Sequence, residues 1–206
     1  MILEKEYLKA LDIVNKYKWQ FAELFGLEKY DYEQVIVFPD PPAKYIKTAK
    51  KKTEIVTDKR TGKTKIRLKE TTYYLNGNLF YSNDVHFSTR SEIVNFAKDY
   101  LLAWCDEMPK LELLEVELIY YRTDNNFDLD NKAYFWQKVF LDLLKTPSKR
   151  ELKKAQDYRR KINTLEIIPD DNVRYVKKLS SEYRKGQHKM EIILRGRRKN
   201  IQNSLF

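Results

Sequence analysis

The chain is poor in the residues that form disulfides and bind transition metals. Its 206 residues include one cysteine and two histidines, which excludes an intrachain disulfide and most zinc sites. It has no run of about 18 apolar residues, so a membrane-spanning helix is not expected. The charged N-terminal stretch lacks the apolar block of a secretory signal. We therefore expect a cytoplasmic protein that is not attached to a membrane.

Acidic residues are outnumbered by basic ones. Forty Lys and Arg against thirty Asp and Glu give a formal net charge of +10, and the sequence pI is about 9.4. Basic residues concentrate at 43–69, 145–161 and 195–199. Such runs are typical of proteins that bind a polyanion, although each can also be only a solvated charged face. Candidate phosphate contacts in these runs are Lys44, Lys47, Lys50, Lys51, Lys52, Lys149, Arg150, Lys153, Lys154, Arg159 and Arg160, and Arg122 is a further candidate outside them.

Hydrophobic periodicity predicts an α+β fold with a mixed or antiparallel sheet packed against helices. Strands are predicted at 34–38, 53–57, 63–75, 79–84 and 111–122, with a two-stranded ending around Lys185 and Gly186. Helices are predicted at 3–24, 89–107 and 131–145, followed by a basic helix that a Ser148–Glu151 capping box begins. The hydrophobic fraction of 42% favours a globular chain.

Acidic residues stand at two junctions between these elements. Asp128 and Asp130 lie in FDLDN, between a predicted strand and a predicted helix. In an extended chain their side chains share one face, and two carboxylates at this spacing can hold Mg²⁺ or Mn²⁺. The segment IIPDDN offers a third carboxylate from Asp170 or Asp171. The alternative is structural: Asp130 would cap its helix, and Asp170 or Asp171 would form a turn.

Three segments in this order resemble the RusA family of Holliday junction resolvases. They are DLDN at 128–131, WQKVFLDLL at 136–144 and IIPDDNV at 167–173. The rest follows in order: an early strand running into Pro41 and Pro42, a basic loop, and a helix led by Ser88. The resemblance covers roughly residues 34 to 195, and the ordered set is more specific than DLDN alone.

The resemblance implies a small homodimeric endonuclease that acts in DNA recombination and repair, encoded by a bacterium, prophage or phage. It would cut four-way junctions or related branched DNA by paired nicks, with Mg²⁺ or Mn²⁺ and no organic cofactor. By position, Asp128, Asp130 and Asp171 would be the catalytic metal ligands. Asn131 and Asp170 would support them. The alternative is a non-catalytic nucleic-acid-binding protein on the same scaffold.

The resemblance also implies a helix lysine that assists catalysis. Lys138 is the preferred match, because it lies seven residues after Asn131 and therefore on nearly the same helix face. Lys132 is the rival, since it is nearer in sequence.

Three features depart from the family pattern. TDNNF (123–127) stands where the family places arginines, and 41 positions separate Asp130 from Asp171. The third departure is that this chain has segments that the family pattern lacks. We expect a helical extension at 1–30, a nuclease domain at 31–198 and a tail at 199–206. The hairpin at 53–75 and the basic helix at 145–163 would be insertions in that domain.

Overall fold

The computed structural model describes residues 30–57, 60–124, 128–157 and 162–199. The strands are β1 Tyr32–Pro39, β2 Lys44–Thr57, β3 Thr64–Tyr74, β4 Leu111–Arg122, β5 Val176–Lys185 and β6 Lys189–Arg198. The helices are α1 Asn78–Tyr81, α2 Phe87–Leu102, α3 Leu129–Leu144 and α4 Lys149–Asp157. The predicted α+β class is confirmed. The predicted N-terminal helix, and the tail beyond residue 199, lie outside the described residues.

A four-stranded sheet in the order β1-β6-β4-β5 forms the centre of the fold. β6 runs antiparallel to β1 and β4, whereas β5 runs parallel to β4, so the sheet is mixed as predicted. Leu114, Val116 and Leu118 of β4 are fully buried, with the period of two expected of a strand. α3 packs on β4, β5 and α2, and buries Trp136 and Phe140.

β5 and β6 occur where a two-stranded ending was predicted, but they do not pair with each other. β4 lies between them and pairs with both. β4 is strongly apolar, and in this inner position a neighbouring strand pairs with each of its two edges. Residues 186–188 cross the end of β4, and the Gly186 N–H donates to the Arg122 carbonyl at 2.9 Å.

The strand predicted at 79–84 is wrong, because residues 78–81 form the short helix α1. Leu79 is buried there, and the Phe80 ring stacks on Phe135 of α3 with centroids 5.6 Å apart. The Gly77 and Asn78 N–H groups donate to Asn131 rather than to a neighbouring strand. Contacts with α3 therefore decide the conformation of this segment. α2 also differs from its prediction: it starts two residues earlier and ends at Leu102.

β2 and β3 form a separate two-stranded sheet. The predicted hairpin is confirmed, but it is longer, since β2 begins at Lys44 rather than at residue 53. The Tyr45 ring lies 5.3 Å from Phe96 of α2, so the hairpin is attached to the domain at its base.

α4 is the predicted basic helix, shorter than the expected 145–163, and its capping box is confirmed. Ser148 donates to Glu151 Oε2 from its backbone N and its Oγ, at 2.8 and 2.7 Å. The Glu151 N–H donates back to Ser148 Oγ at 3.2 Å. None of the α4 residues is buried. Across the described ranges, no helix is long and apolar enough to cross a bilayer.

Candidate active site

The start of α3 is set by Asp128. This residue is extended, with φ −77° and ψ 90°, and its Oδ1 accepts a hydrogen bond from the Asn131 N–H at 3.2 Å. That is the geometry of a helix N-cap. The alternative that Asp130 caps the helix is wrong, because Asp130 lies in the first turn. The condition under which both side chains would share one face, an extended chain through both aspartates, is not met for the same reason.

Asp128 and Asp130 nevertheless line one cleft of about 410 Å³. Its other walls are residues of α3 and of the turn that leads into α1, namely Gly77, Asn78, Tyr81, Asn131 and Tyr134. Both aspartates are exposed. Within the described ranges, the Asp130 carboxylate accepts no hydrogen bond and forms no ion pair. The helix N-terminus favours negative charge at this position without a paired cation, so the cleft presents carboxylate oxygens to an incoming ligand.

Asn131 links the two walls of the cleft. Its Nδ2 donates to Asp128 Oδ2 at 3.2 Å, which holds the second carboxylate oxygen of the cap. Its Oδ1 accepts from the Asn78 N–H at 3.2 Å, and its carbonyl accepts from the Gly77 N–H at 2.8 Å. The supporting role expected for Asn131 thus has a geometric basis: it orients Asp128.

Gly77 makes this contact possible through close approach. A Cβ at this position would lie 2.8 Å from Asn131 Oδ1 and 2.9 Å from Tyr134 Cδ1. Any larger residue would push the turn away from α3 and open the cleft.

Two tyrosines form the rim. The hydroxyls of Tyr81 and Tyr134 are 2.7 Å apart, and their rings are stacked with centroids 6.0 Å apart. Both rings are exposed, by 71% and 41%. Exposed aromatic faces next to a phosphate-binding site are surfaces on which unpaired bases can stack.

Lys132 lies beside the cleft. Its Nζ donates to the Leu75 carbonyl at 3.3 Å. Burial, together with the nearby charge of Arg122, lowers the pKa of this lysine, and the Asp128 carboxylate partly offsets that effect. Of the two candidate catalytic lysines, Lys132 is the one whose charge interacts with Asp128.

Lys138 and Asp171 belong to a second ionic group, farther along α3. Lys138 Nζ lies 2.8 Å from Asp171 Oδ2 and 3.1 Å from Asp142 Oδ1. Burial disfavours ionisation of Asp171, but the Lys138 hydrogen bond and the charges of Lys138 and Lys145 outweigh it, so the pKa of Asp171 is lowered. Burial likewise opposes the charge on Lys138, and the two carboxylates raise its pKa.

The contact with Asp142 shows in which direction Lys138 reaches. Asp142 is one turn closer to the C-terminal end of α3, whereas Asp130 is eight residues, or about 12 Å of helix, toward the other end. Asp171 is therefore paired at the far half of the helix, and it is not among the residues that line the acidic cleft. The convergence of all three aspartates on one ion is not observed. In the described part of the chain, no group of three His, Cys, Asp or Glu side chains could hold a metal.

Asp170 shapes the turn after β-bridge residue Ile168. Its carboxylate accepts from the Asp171 N–H at 2.9 Å and from Asn172 Nδ2 at 2.7 Å. These hydrogen bonds fit the structural alternative, in which Asp170 forms a turn. The assignment of Asp171 as a metal ligand stays a prediction, and it requires Asp171 to leave Lys138.

The candidate phosphate contacts differ in availability. Lys47 pairs with Glu92 at 2.6 Å and donates to Thr89, and Arg122 pairs with Asp124 through two bonds of 2.8 Å. The exposed members are Lys44, Lys50, Lys52, Lys149, Arg150, Lys153 and Lys154. Arg159, Arg160 and the side chain of Lys51 lie outside the described parts.

Sequence reasoning missed the α1 side of the cleft. Residues 79–84, which follow NGN at 76–78, are predicted as a strand of the sheet rather than as part of a wall against α3. The signal that could have identified this wall was the glycine beside two asparagines, a combination suited to close backbone contacts.

Comparisons with known proteins add no relative. No family model matches the chain, and neither a curated protein nor a solved structure matches it.

Proposed function

We propose that this protein is a metal-dependent endonuclease of RusA-like fold that resolves four-way junctions or related branched DNA. The observation that carries the proposal is the cleft that exposed Asp128 and Asp130 both line, in a chain of net charge +10. A basic protein with two exposed carboxylates beside an aromatic rim has a site suited to a cation together with a polyanion.

The donor set suits Mg²⁺ or Mn²⁺. Mg²⁺ is commonly bound by one or two carboxylates, with water and substrate phosphate oxygens as the other ligands. Asp128 and Asp130 supply that number of hard oxygen donors. When bound, the ion would polarise the scissile phosphate and lower the pKa of a water molecule.

The chain's own residues orient and attract the substrate. Asn131 fixes the Asp128 carboxylate, while half-buried Lys132 places a positive charge close to the phosphate. The exposed basic residues hold the flanking backbone, and the rings of Tyr81 and Tyr134 offer stacking surfaces to bases at a branch point. Paired nicks need two such sites, which a homodimer would provide.

The experiment compares a four-way junction, a flap and a plain duplex, each with Mg²⁺ and with chelator. We expect Mg²⁺-dependent cleavage of a branched substrate. Asp130→Asn should abolish cleavage and keep or tighten DNA binding, because it removes a metal ligand and one negative charge. Asp106→Asn is the matched control, since Asp106 is exposed and does not line the cleft. An Asp130→Asn protein that cuts at the full rate would exclude this site.

A second candidate function is non-catalytic binding of nucleic acid. The ion pair of Asp171 with Lys138 favours it, because it leaves two carboxylates at the cleft rather than three. It predicts salt-dependent DNA binding without cleavage of any of the three substrates, and no effect of chelator.

A further inference from the structure

The positive charge of the chain is concentrated in one element. We name residues 44–74, which comprise β2, β3 and their connection, the hairpin arm. It contains eleven Lys and Arg against three Asp and Glu, a net +8 out of +10 for the whole chain. The other 175 residues are therefore close to neutral, with a net charge of +2. The partner that the charge requires should bind mainly at the arm.

An irregularity in the arm brings lysines together. Thr48 pairs with Glu70 and Thr53 pairs with Leu68, so residues 49–52 lie opposite Lys69 alone. Four lysines therefore occur at one point of the ribbon, and Lys50, Lys52 and Lys69 are exposed there. A bulge bends a ribbon and increases its twist, and clustered like charges are unfavourable until an anion neutralises them.

The outer part of the arm has two different faces. The register places Ile55 opposite Ile66, and strand periodicity puts Thr53, Thr57 and Leu68 on the same face. Ile55 and Ile66 are exposed by 73% and 74%. Glu54 pairs with Arg67 at 3.0 Å on the opposite face. On the side of Ile66 and Leu68, β3 carries Glu70, which pairs with Thr48 at the inner end of the bulge.

We propose that the hairpin arm is a β-ribbon that enters the major groove of B-form DNA. The major groove admits a two-stranded ribbon, and thymine methyl groups there offer apolar contacts. The lysines at the bulge would contact phosphates on the groove wall, and Ile55 and Ile66 would face the base edges. The inference rests on DNA as the partner in the proposed function, but it does not depend on cleavage.

Other occupants of this face fit less well. A second copy of the arm would bring +8 against +8. Double-stranded RNA has a deep, narrow major groove that side chains do not read. An anionic membrane would attract the lysines, but it gives no reason for a bent ribbon with a narrow apolar strip.

The first test measures binding of the full chain to a short fluorescent DNA duplex in chelator, over a series of salt concentrations. Lys50→Gln/Lys52→Gln/Lys69→Gln should reduce the slope of log affinity against log salt by about 0.9 per lysine. The matched control is Lys178→Gln/Lys185→Gln/Lys199→Gln, which removes three exposed charges elsewhere and should leave the slope unchanged. Equal loss in both variants, or no loss in the arm variant, would overturn the proposal.

The second test separates groove contact from charge. Ile55→Thr/Ile66→Thr should weaken duplex binding about tenfold without changing the salt slope or the melting temperature. Val35→Thr/Val37→Thr is the control, since both valines are exposed on β1, and it should bind like the wild type. Unchanged affinity of the isoleucine variant, or tighter wild-type binding to double-stranded RNA or phosphatidylserine vesicles than to the DNA duplex, would overturn the proposal. Because chelator prevents cleavage, a failed nuclease assay leaves this result intact.

Discussion

Acidic residues near the two ends of α3 differ in whether a lysine pairs with them. At the N-terminal end, Asp128 and Asp130 line an open cleft, and Asp130 has no ionic partner in the described ranges. In the C-terminal half, Asp142 and Asp171 are neutralised by Lys138, and Lys145 lies 3.3 Å from Asp142. The carboxylates without a salt bridge are therefore at the N-terminal end of the helix in the described ranges.

The helix itself explains part of this difference. Unpaired N–H groups and the positive end of the dipole stabilise carboxylates in the first turn, so no lysine is needed there. Toward the carbonyl end the dipole is unfavourable to acids and favourable to cations. An acid stabilised by backbone remains available to a metal, whereas an acid held by lysines must first exchange its partner.

After loss of the Asp130 carboxylate, the largest expected effect comes from replacing the two candidate lysines one at a time. Lys132→Met should reduce junction cleavage by about 10- to 100-fold, because it removes the charge beside Asp128. Lys138→Met should reduce cleavage much less, since Lys138 pairs with Asp171 rather than with the cleft. Single-turnover cleavage rates at saturating Mg²⁺ measure this. A larger loss of cleavage in Lys138→Met than in Lys132→Met would contradict the placement of Lys132 at the catalytic cleft.

Gly77→Ala should damage the cleft without touching a carboxylate. The added methyl would meet Asn131 Oδ1 and Tyr134, and overpacking of this kind costs about 1 to 3 kcal/mol. We expect a lower free energy of unfolding in denaturant titration, together with slower cleavage.

Gly196→Ala is the matched control for Gly77→Ala. Its Cβ would meet Leu111 Cδ1 in the core, so it should destabilise the fold and leave the cleavage rate of the folded protein unchanged. Equal loss of cleavage in both variants would mean that Gly77 acts only through stability.

The smallest effect concerns the Lys138–Asp171 pair. Asp171→Asn should lower the free energy of unfolding by about 1 kcal/mol, because the pair is partly exposed. The pKa of Asp171 is lowered in the fold, so its stabilisation is present above the ordinary Asp pKa of about 3.9 and is lost as the pH falls through the lower folded value. The stability difference between the wild type and Asp171→Asn should therefore begin to shrink below about pH 4 and vanish at a pH below the folded pKa.

A double variant tests whether Lys138 and Asp171 stabilise each other. In a Lys138→Met background, Asp171→Asn should cost less than it does in the wild type, since the interaction is already absent. Additive costs in the double variant would show that the two side chains do not stabilise each other.

Local patterns predicted the parts of the fold that local physics decides. The alternation in β4, the apolar face of α3 and the Ser148–Glu151 box each depend on residues close in sequence. The pairing of Lys138 with Asp171 spans 33 positions, and no spacing rule brings such residues together or keeps them apart. For the same reason the place of β4 between β5 and β6, and the packing of α1 on α3, followed only from the three-dimensional structure.

The most direct test of the cleft as the catalytic site compares two aspartate variants in one assay. Four-way-junction cleavage with Mg²⁺ would be measured for the wild type, Asp130→Asn and Asp171→Asn. We predict that Asp130→Asn loses more than the roughly 10- to 100-fold that changes around a metal's ligands cost, and that Asp171→Asn stays within about tenfold of the wild type. Full activity of Asp130→Asn would contradict the account. An equal loss in both variants would mean that Asp171 joins the cleft in the DNA complex.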